Sequence, residues 1–220
     1  MKLIVGKDIL NIINNYTLIA YKFDMEIKES DDNIFNEVKK LEEQYDNVSL
    51  EELINSNIIK EGRDGYKKFG KDPSRYRLAC ESLCRRLIKK LGLYYINNAV
   101  DIGNILSIKI QRPVAVLDYD KIVGDVYLRL GRSDDDYEGI GRGKINVENI
   151  PVYVDDISPF GSPTSDTLRT AISKDTKTIL LFVNCFSDKY IDSCDQAIRE
   201  LYKKLGKVDT FEKLNVEYER

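Results

Sequence analysis

Apolar residues along this chain fall into helical stripes in the first half and short alternating runs in the second. Residues 1–27 read as strand, short helix and strand, in "KLIV", "KDILNII" and "YTLIAYKFDMEI". The last has the β-branched and aromatic content that suits a pleated, half-buried surface. In residues 31–47, Ile34, Val38, Leu41 and Tyr45 lie on one helical stripe. A second helix opens at Ser49, because "SLEE" is a capping box with Ser49 as N-cap and Glu52 reaching back to it. A third is predicted from Asp72, with Pro73 at its first position, to about Leu91. Leu78, Leu83, Leu87, Ile88 and Leu91 face inward there and leave Arg85, Arg86, Lys89 and Lys90 to solvent.

The stretch "INNAVDIGNILSIKI", from Ile96 to Ile110, keeps helical apolar spacing but is interrupted by Asn97, Asn98, Asp101 and Asn104. Such side chains compete for nearby backbone groups and weaken a helix interior. Their presence calls for a reason beyond local propensity. Period-two alternation then takes over, and "PVAVLDY", "GDVYLRLG", "IPVYVDD", "RTAIS" and "TKTILLFVNCF" read as strands. A final amphipathic helix runs from about Asp188 to Leu205, with Cys194, Ile198, Leu201 and Tyr202 on its apolar stripe and Gly206 at its C-terminal cap. Helices first, a sheet-rich body and a late covering helix make an α+β fold. Residues 1–70 form its N-terminal strand–helix portion and 71–220 its body, read together as one compact domain.

Composition narrows the chemistry. Hydrophobic residues at 42% and charged residues at 32% describe an ordinary globular chain, not a disordered one. A net charge of −3 argues against DNA binding and against sequence-blind nucleic-acid binding by the whole surface. Any such contact falls to a local basic face, for which "CRRLIKKL" (Cys84 to Leu91) is the candidate. The chain has no histidine, which removes Ser–His and Cys–His catalysis and most catalytic zinc sites. Cys80, Cys84, Cys185 and Cys194 form no CxxC pair and read as reduced core thiols of a cytoplasmic protein. No metal or cofactor is expected. No apolar run approaches the roughly 18 residues of a membrane span, and none near the start suits a signal peptide.

Three segments invite a chemical reading. "GIGRG", Gly139 to Gly143, matches no phosphate-loop pattern and reads as a hairpin or loop. Asp118, Asp120, Asp125, Asp155 and Asp156 suit Mg²⁺ by type, but turn roles account for them, and neighbours on a strand point to opposite faces. "FGSPTSDTLRTAISKDT", from Phe160 to Thr176, places serines, threonines, Asp166 and Arg169 between two apolar runs. It reads either as a capped loop with a surface ion pair or as a pocket-lining loop that binds a small polar group.

The string "YINNAVDIGNILSIKIQRPVAVLDYDKIVGDVYLRLG", continued by "YVDDISPFGSPTSDTLRTAISKDTKTILLF", resembles the editing module of the phenylalanyl-tRNA synthetase β subunit over about residues 72–186. The matching family pattern holds an asparagine pair, a "VVD.TNYV" helix, a "QP.HAFD.DK" strand and "GIMGGEDSEVTDDTKNILLE". The resemblance implies that Asn98, Asp101 and Asn104 are buried architectural residues, and that Gly103, Ala115 and Phe182 border an editing pocket. At those last three positions the family carries threonine, histidine and glutamate. Their polar atoms help to recognise a misplaced tyrosine, and a pocket lacking partners for a hydroxyl discriminates poorly in its favour.

The expected partner is the aminoacylated 3′ end of a tRNA, and the expected reaction is hydrolysis of a wrong aminoacyl ester in trans. Asp166 and Arg169 are the candidate catalytic residues, orienting water and anchoring an anion. Gly103, Ala115, Gly161, Ser162, Ser165, Thr170 and Phe182 are the candidate substrate-binding residues, and Asp166 and Arg169 are expected to converge on the cleft beside them. The alternative is a non-catalytic module that keeps the fold and binds an amino-acid-like ligand.

Overall fold

The computed structural model, which describes residues 1–219, builds two sheets from strands drawn from both ends of the chain. The first half supplies β1 (Leu3–Val5), α1 (Lys7–Leu10), β2 (Thr17–Asp24), α2 (Asp32–Tyr45), α3 (Leu50–Asn55), α4 (Asn57–Lys68), α5 (Ala79–Ile88) and α6 (Asn98–Ile110). The second supplies β3 (Val114–Asp118), β4 (Val126–Leu130), β5 (Glu138–Gly139), β6 (Gly143–Lys144), β7 (Pro151–Val154), β8 (Pro159–Gly161) and β9 (Thr178–Cys185). It closes with α7 (Ile191–Gly206), β10 (Glu212–Lys213) and β11 (Val216–Tyr218). The fold is α+β.

One sheet has the order β11-β1-β4-β7-β8 and the other β10-β2-β9-β3, with β5 and β6 as a separate hairpin. β1 runs parallel to both of its neighbours, and the second sheet is antiparallel throughout. Register explains the layering. Ala20, Phe182 and Ala115 stand side by side across β2, β9 and β3, so their side chains share a face. That face meets the first sheet, where the rings of Phe182 and Tyr153 lie 4.8 Å apart. The opposite face carries Phe23, 4.8 Å from Tyr202 of α7, and Val116, which packs on α6. β9 is buried along all but its first residue, as a continuous apolar run between two covered faces should be.

α6 shows why its polar residues are there. Asn97 caps the helix by accepting the Val100 N–H at 3.0 Å. Asn98 donates to the Glu26 carbonyl at 2.9 Å and accepts the Lys28 N–H at 3.0 Å. Asp101 accepts the Ser30 hydroxyl at 2.6 Å and the Ile96 N–H at 3.0 Å. The segment leading from β2 to α2 is therefore stitched to the helix by buried groups whose hydrogen-bonding capacity is met. Asn104 departs from this pattern: it is half-buried and opens onto a cleft.

Two expectations change, and one helix was not foreseen. The helix foreseen from Asp72 begins only at Ala79, with residues 73–76 in a turn whose amide at Ser74 bonds the Asp72 carboxylate. The chain leaves helical geometry there because the Ala79 N–H is drawn to the Pro163 carbonyl at 2.8 Å and Leu78 fills a notch in α4. That notch is Gly62, where a Cβ would meet Leu78 Cδ1 at 2.3 Å. Helix α4 itself is masked in the sequence by Gly62 and Gly65, which lower helix propensity and serve close packing. "RTAIS" is not a strand; Leu168–Thr170 forms a short 3-10 turn and Ala171 only bridges Leu117. No helix among the described residues is long and apolar enough to cross a membrane.

Candidate functional site

The loop after β8 is held from within. Ser162 Oγ donates to the Ser165 carbonyl at 2.9 Å and accepts the N–H groups of Thr164 and Ser165. Thr167 bonds the Phe160 carbonyl through both its N–H and its hydroxyl. The Thr170 hydroxyl reaches the same carbonyl at 3.4 Å and is buried. The Ser165 hydroxyl turns to the Asp166 carbonyl, and Tyr137 donates to the Ser165 carbonyl. Ser162, Ser165 and Thr170 thus spend their hydroxyls on loop architecture, and the Thr164 and Ser165 amides are committed as well.

Arg169 does not turn toward Ala115. Its fork grips Asp155 through Nη2 to Oδ1 at 2.7 Å and Nη1 to Oδ2 at 3.1 Å, and it also donates to the carbonyls of Lys121 and Ser158. Asp155 lies inward at the end of β7, where it further accepts the amides of Val123, Ile157 and Ser158. Burial works against its ionisation, but the three amides and the guanidinium outweigh it and hold the carboxyl below its ordinary value. This is a bidentate structural latch, and Asp166 shares no hydrogen bond with it.

Asp166 lies at the other end of the loop. Its carboxylate packs on Gly161, where a Cβ would come within 2.7 Å of Oδ1, so only glycine leaves room. Oδ1 is buried and has no hydrogen-bond partner. Burial pushes the carboxyl up to about 7, against a smaller opposing pull from the Ser162 amide. Tyr137 and Tyr153 flank it, their phenols held protonated by burial and then by the neighbouring Asp166 charge.

The substrate-binding set divides between two faces. Ala115 and Phe182 pair across β3 and β9 on the inter-sheet face, but Gly103 presses on Val116 on the helix-covered face, with a Cβ there only 2.3 Å from Val116 Cγ2. The three residues do not bound one pocket. The space beside Phe182 is filled by Tyr153 and Phe160, whose rings lie 5.8 Å apart and are buried. Tyr153 and Tyr16 both bond Asn184, joining β7, β9 and the segment before β2.

A cleft of about 460 Å³ is lined mainly by α5 and the segment after it, with Asn104 of α6 and Arg142 of the β5–β6 turn. Arg77, Arg85, Arg86, Lys89 and Arg142 line it, with no acidic residue among the described residues of its wall. Two bonds join it to the loop: the Ala79 N–H to the Pro163 carbonyl, and the Ile140 N–H to the Asp166 carbonyl at 2.9 Å. Ile140 belongs to the turn between β5 and β6, the hairpin foreseen at "GIGRG", which carries Arg142. The foreseen basic face is thus rearranged. Lys90 adopts a left-handed conformation and pairs with Asp46 at 3.2 Å, outside the cleft, while Arg77 and Arg142 join it. Arg142 sat in a segment weighed only for its glycines, and Arg77 fell in the first turns of the expected helix, which begins only at Ala79.

Three of the five carboxylates weighed for Mg²⁺ are used elsewhere: Asp118 accepts Thr176 and pairs with Lys121, Asp125 accepts the Lys2 N–H, and Asp155 holds the latch. The four cysteines are unpaired and buried.

Comparison with curated proteins finds no match. Among solved structures, an N-terminal fragment of the phenylalanyl-tRNA synthetase β subunit from Pyrococcus horikoshii superposes with a TM-score of 0.53 at 11% identity. The match covers 99% of this chain and 52% of the solved one, so the chain spans about half the length of that fragment. The family model of the B3/4 domain, a domain found in that β subunit, matches residues 62–202. The chain belongs to the B3/4 domain family.

Proposed function

We propose that this chain binds the acylated 3′ end of a tRNA and hydrolyses the aminoacyl ester in trans, with Asp166 as general base. The observation that carries this reading is the buried, unpartnered Asp166 Oδ1, in a carboxyl held near pH 7 beside a basic cleft. A base works best with a pKa near the working pH, and perturbed carboxyls concentrate at functional sites. In the reaction the Asp166 carboxylate takes a proton from water while the hydroxide oxygen adds to the ester carbonyl. The tetrahedral oxyanion collapses, the carbon–oxygen bond to the ribose breaks, and the proton passes to that ribose oxygen. Free amino acid and tRNA leave. No metal, histidine or covalent nucleophile is required. Asp166 is covered by the β5–β6 hairpin, whose Ile140 N–H bonds the Asp166 carbonyl, so admission of water to the carboxylate requires that hairpin to lift.

A deacylation screen against a panel of misacylated tRNAs tests the reading. Hydrolysis of at least one, slowed about 100-fold or more in Asp166→Asn, with a rate that climbs as pH passes about 7, is expected. The filled space between Tyr153, Phe160 and Phe182 favours a second reading, a module that binds tRNA or an amino-acid-like ligand without hydrolysis. Absence of turnover on every tRNA, with binding retained, selects it.

A further inference from the structure

The basic cleft carries one feature that phosphate binding alone does not explain. Tyr94, 69% exposed, lines it, with the Arg86 guanidinium stacked on one face of the ring at 4.0 Å. Arg86 is not mobile there: Nε donates to the Gly92 carbonyl at 2.9 Å and Nη2 to the Leu91 carbonyl at 3.1 Å. The ring is thus backed by a fixed cation on one side and left open on the other. Tyr94 does not stand alone, because Leu91, Tyr95 and Ile96 are exposed in the same short segment, and grouped exposed apolar residues mark an interaction surface.

We infer that this cleft is a binding groove for single-stranded RNA, with the Arg86–Tyr94 stack as a platform for one unpaired base and Arg77, Lys89 and Arg142 as contacts to the adjoining phosphates. Three observations converge. Charge is matched to a polyanion, since the wall holds five basic residues. Arg85 is the least available of them, because it and Arg63 share the buried Glu81 at 2.8 Å each. An aromatic ring in the wall of a cationic groove is the arrangement by which proteins hold unpaired bases, because every base has a face to stack. Only an unpaired base can reach the ring, since bases within a duplex are already stacked on one another. The groove also leads somewhere, because Arg142 rides on the hairpin that covers Asp166. An RNA strand that draws Arg142 outward would lift that cover. The identification of the strand as the 3′ end of a tRNA rests on the reading above; the groove and its platform do not.

Fluorescence anisotropy with a labelled eight-nucleotide single-stranded RNA tests this at several salt concentrations, with a hairpin duplex and inorganic polyphosphate as competitors. Tyr94→Ala should weaken binding about 5- to 150-fold with its salt dependence unchanged, the loss expected of one stacked base. Arg142→Gln should weaken binding and lower the slope of log Kd against log salt by about 0.7, one released counterion on a single strand. Lys90→Ala, outside the cleft, should do neither. Tyr94 is largely exposed, so a matched denaturation curve separates lost binding from lost fold. Unchanged affinity in Tyr94→Ala, or displacement of the strand by duplex or polyphosphate at equal phosphate concentration, overturns the proposal. Oligonucleotide binding without hydrolysis of any aminoacyl-tRNA would remove the catalytic reading and keep this one. Hydrolysis without oligonucleotide binding would do the reverse.

Discussion

Asp166 spends its position on a carboxyl whose Oδ1 is buried with nothing to bond, a costly arrangement in a folded protein. Because its folded pKa is raised to about 7 from an ordinary 3.8, the folded state holds a proton that the unfolded state has released between those values. The stabilisation is fully present below about pH 4 and is lost as pH rises through about 7. Asp166→Asn removes the titration and keeps the shape. Chemical denaturation should find the variant more stable than wild type at pH 8, by roughly 1–4 kcal/mol, and nearly equal at pH 4.5. A parallel pair of stability–pH curves would show that the carboxyl is better solvated than its surroundings indicate.

At the level of elements, the Arg169–Asp155 latch ties the turn after β8 to the end of β7 and to the segment around Lys121. Arg169→Ala leaves a carboxylate with no exposed side-chain surface and only its three amide donors. The expected loss in urea denaturation is roughly 2–5 kcal/mol. Asp155 is held below its ordinary pKa, so the latch stabilises above about pH 4 and is lost as pH falls further; the variant should acid-unfold at higher pH. A loss under about 1 kcal/mol with abolished RNA binding would return Arg169 to the ligand site. Arg169 also marks where sequence reading reached its limit. Its type and its place in a polar loop were legible, but its partner lies 14 positions away, and only strand register decides that Asp155 turns inward. Ser49 was legible as a cap because a cap and its amide lie within three residues; Asn97 caps α6 by the same local geometry, yet its sequence context showed it only as an interruption of helical spacing. Gly103 was misread for the opposite reason: whether it faces a pocket or Val116 depends on which face of a sheet a helix covers.

Across the whole molecule, the stretch matched by the B3/4 model is not a self-sufficient unit. β2 pairs with β9 along eight residues, from Thr17 opposite Cys185 to Asp24 opposite Thr178, and β1 sits between β4 and β11. A chain comprising only residues 62–202 would bare the edge of β9 that β2 covers and leave β9 and β3 as an isolated apolar pair. It should therefore give no cooperative thermal transition and should bind hydrophobic dye, whereas the full chain melts as one unit. A sharp transition in the shorter chain would show that the N-terminal strands decorate the domain. The α+β class and most of the second-half strands could be read from period-two alternation. The assignment of β1 and β2 to two different sheets could not, because both are equally apolar and their partners are far away in sequence.

The pairing of β1 with β11 also sets an order of events during synthesis. β1 leaves the ribosome long before β11, with the apolar triplet Leu3, Ile4 and Val5, while the strand that seals its outer edge is made near residue 218. The Glu219 amide bonds the Val5 carbonyl, and the Tyr218 hydroxyl accepts the Leu18 amide, so the seal spans both sheets. Until those residues emerge, the nascent chain carries a bare, uncharged strand edge, the kind of surface on which neighbouring chains template one another. Contacts this remote in sequence also slow folding, since the loop they close must be ordered before they form. Until β11 is made, that edge of β1 is a surface a chaperone would have to shield.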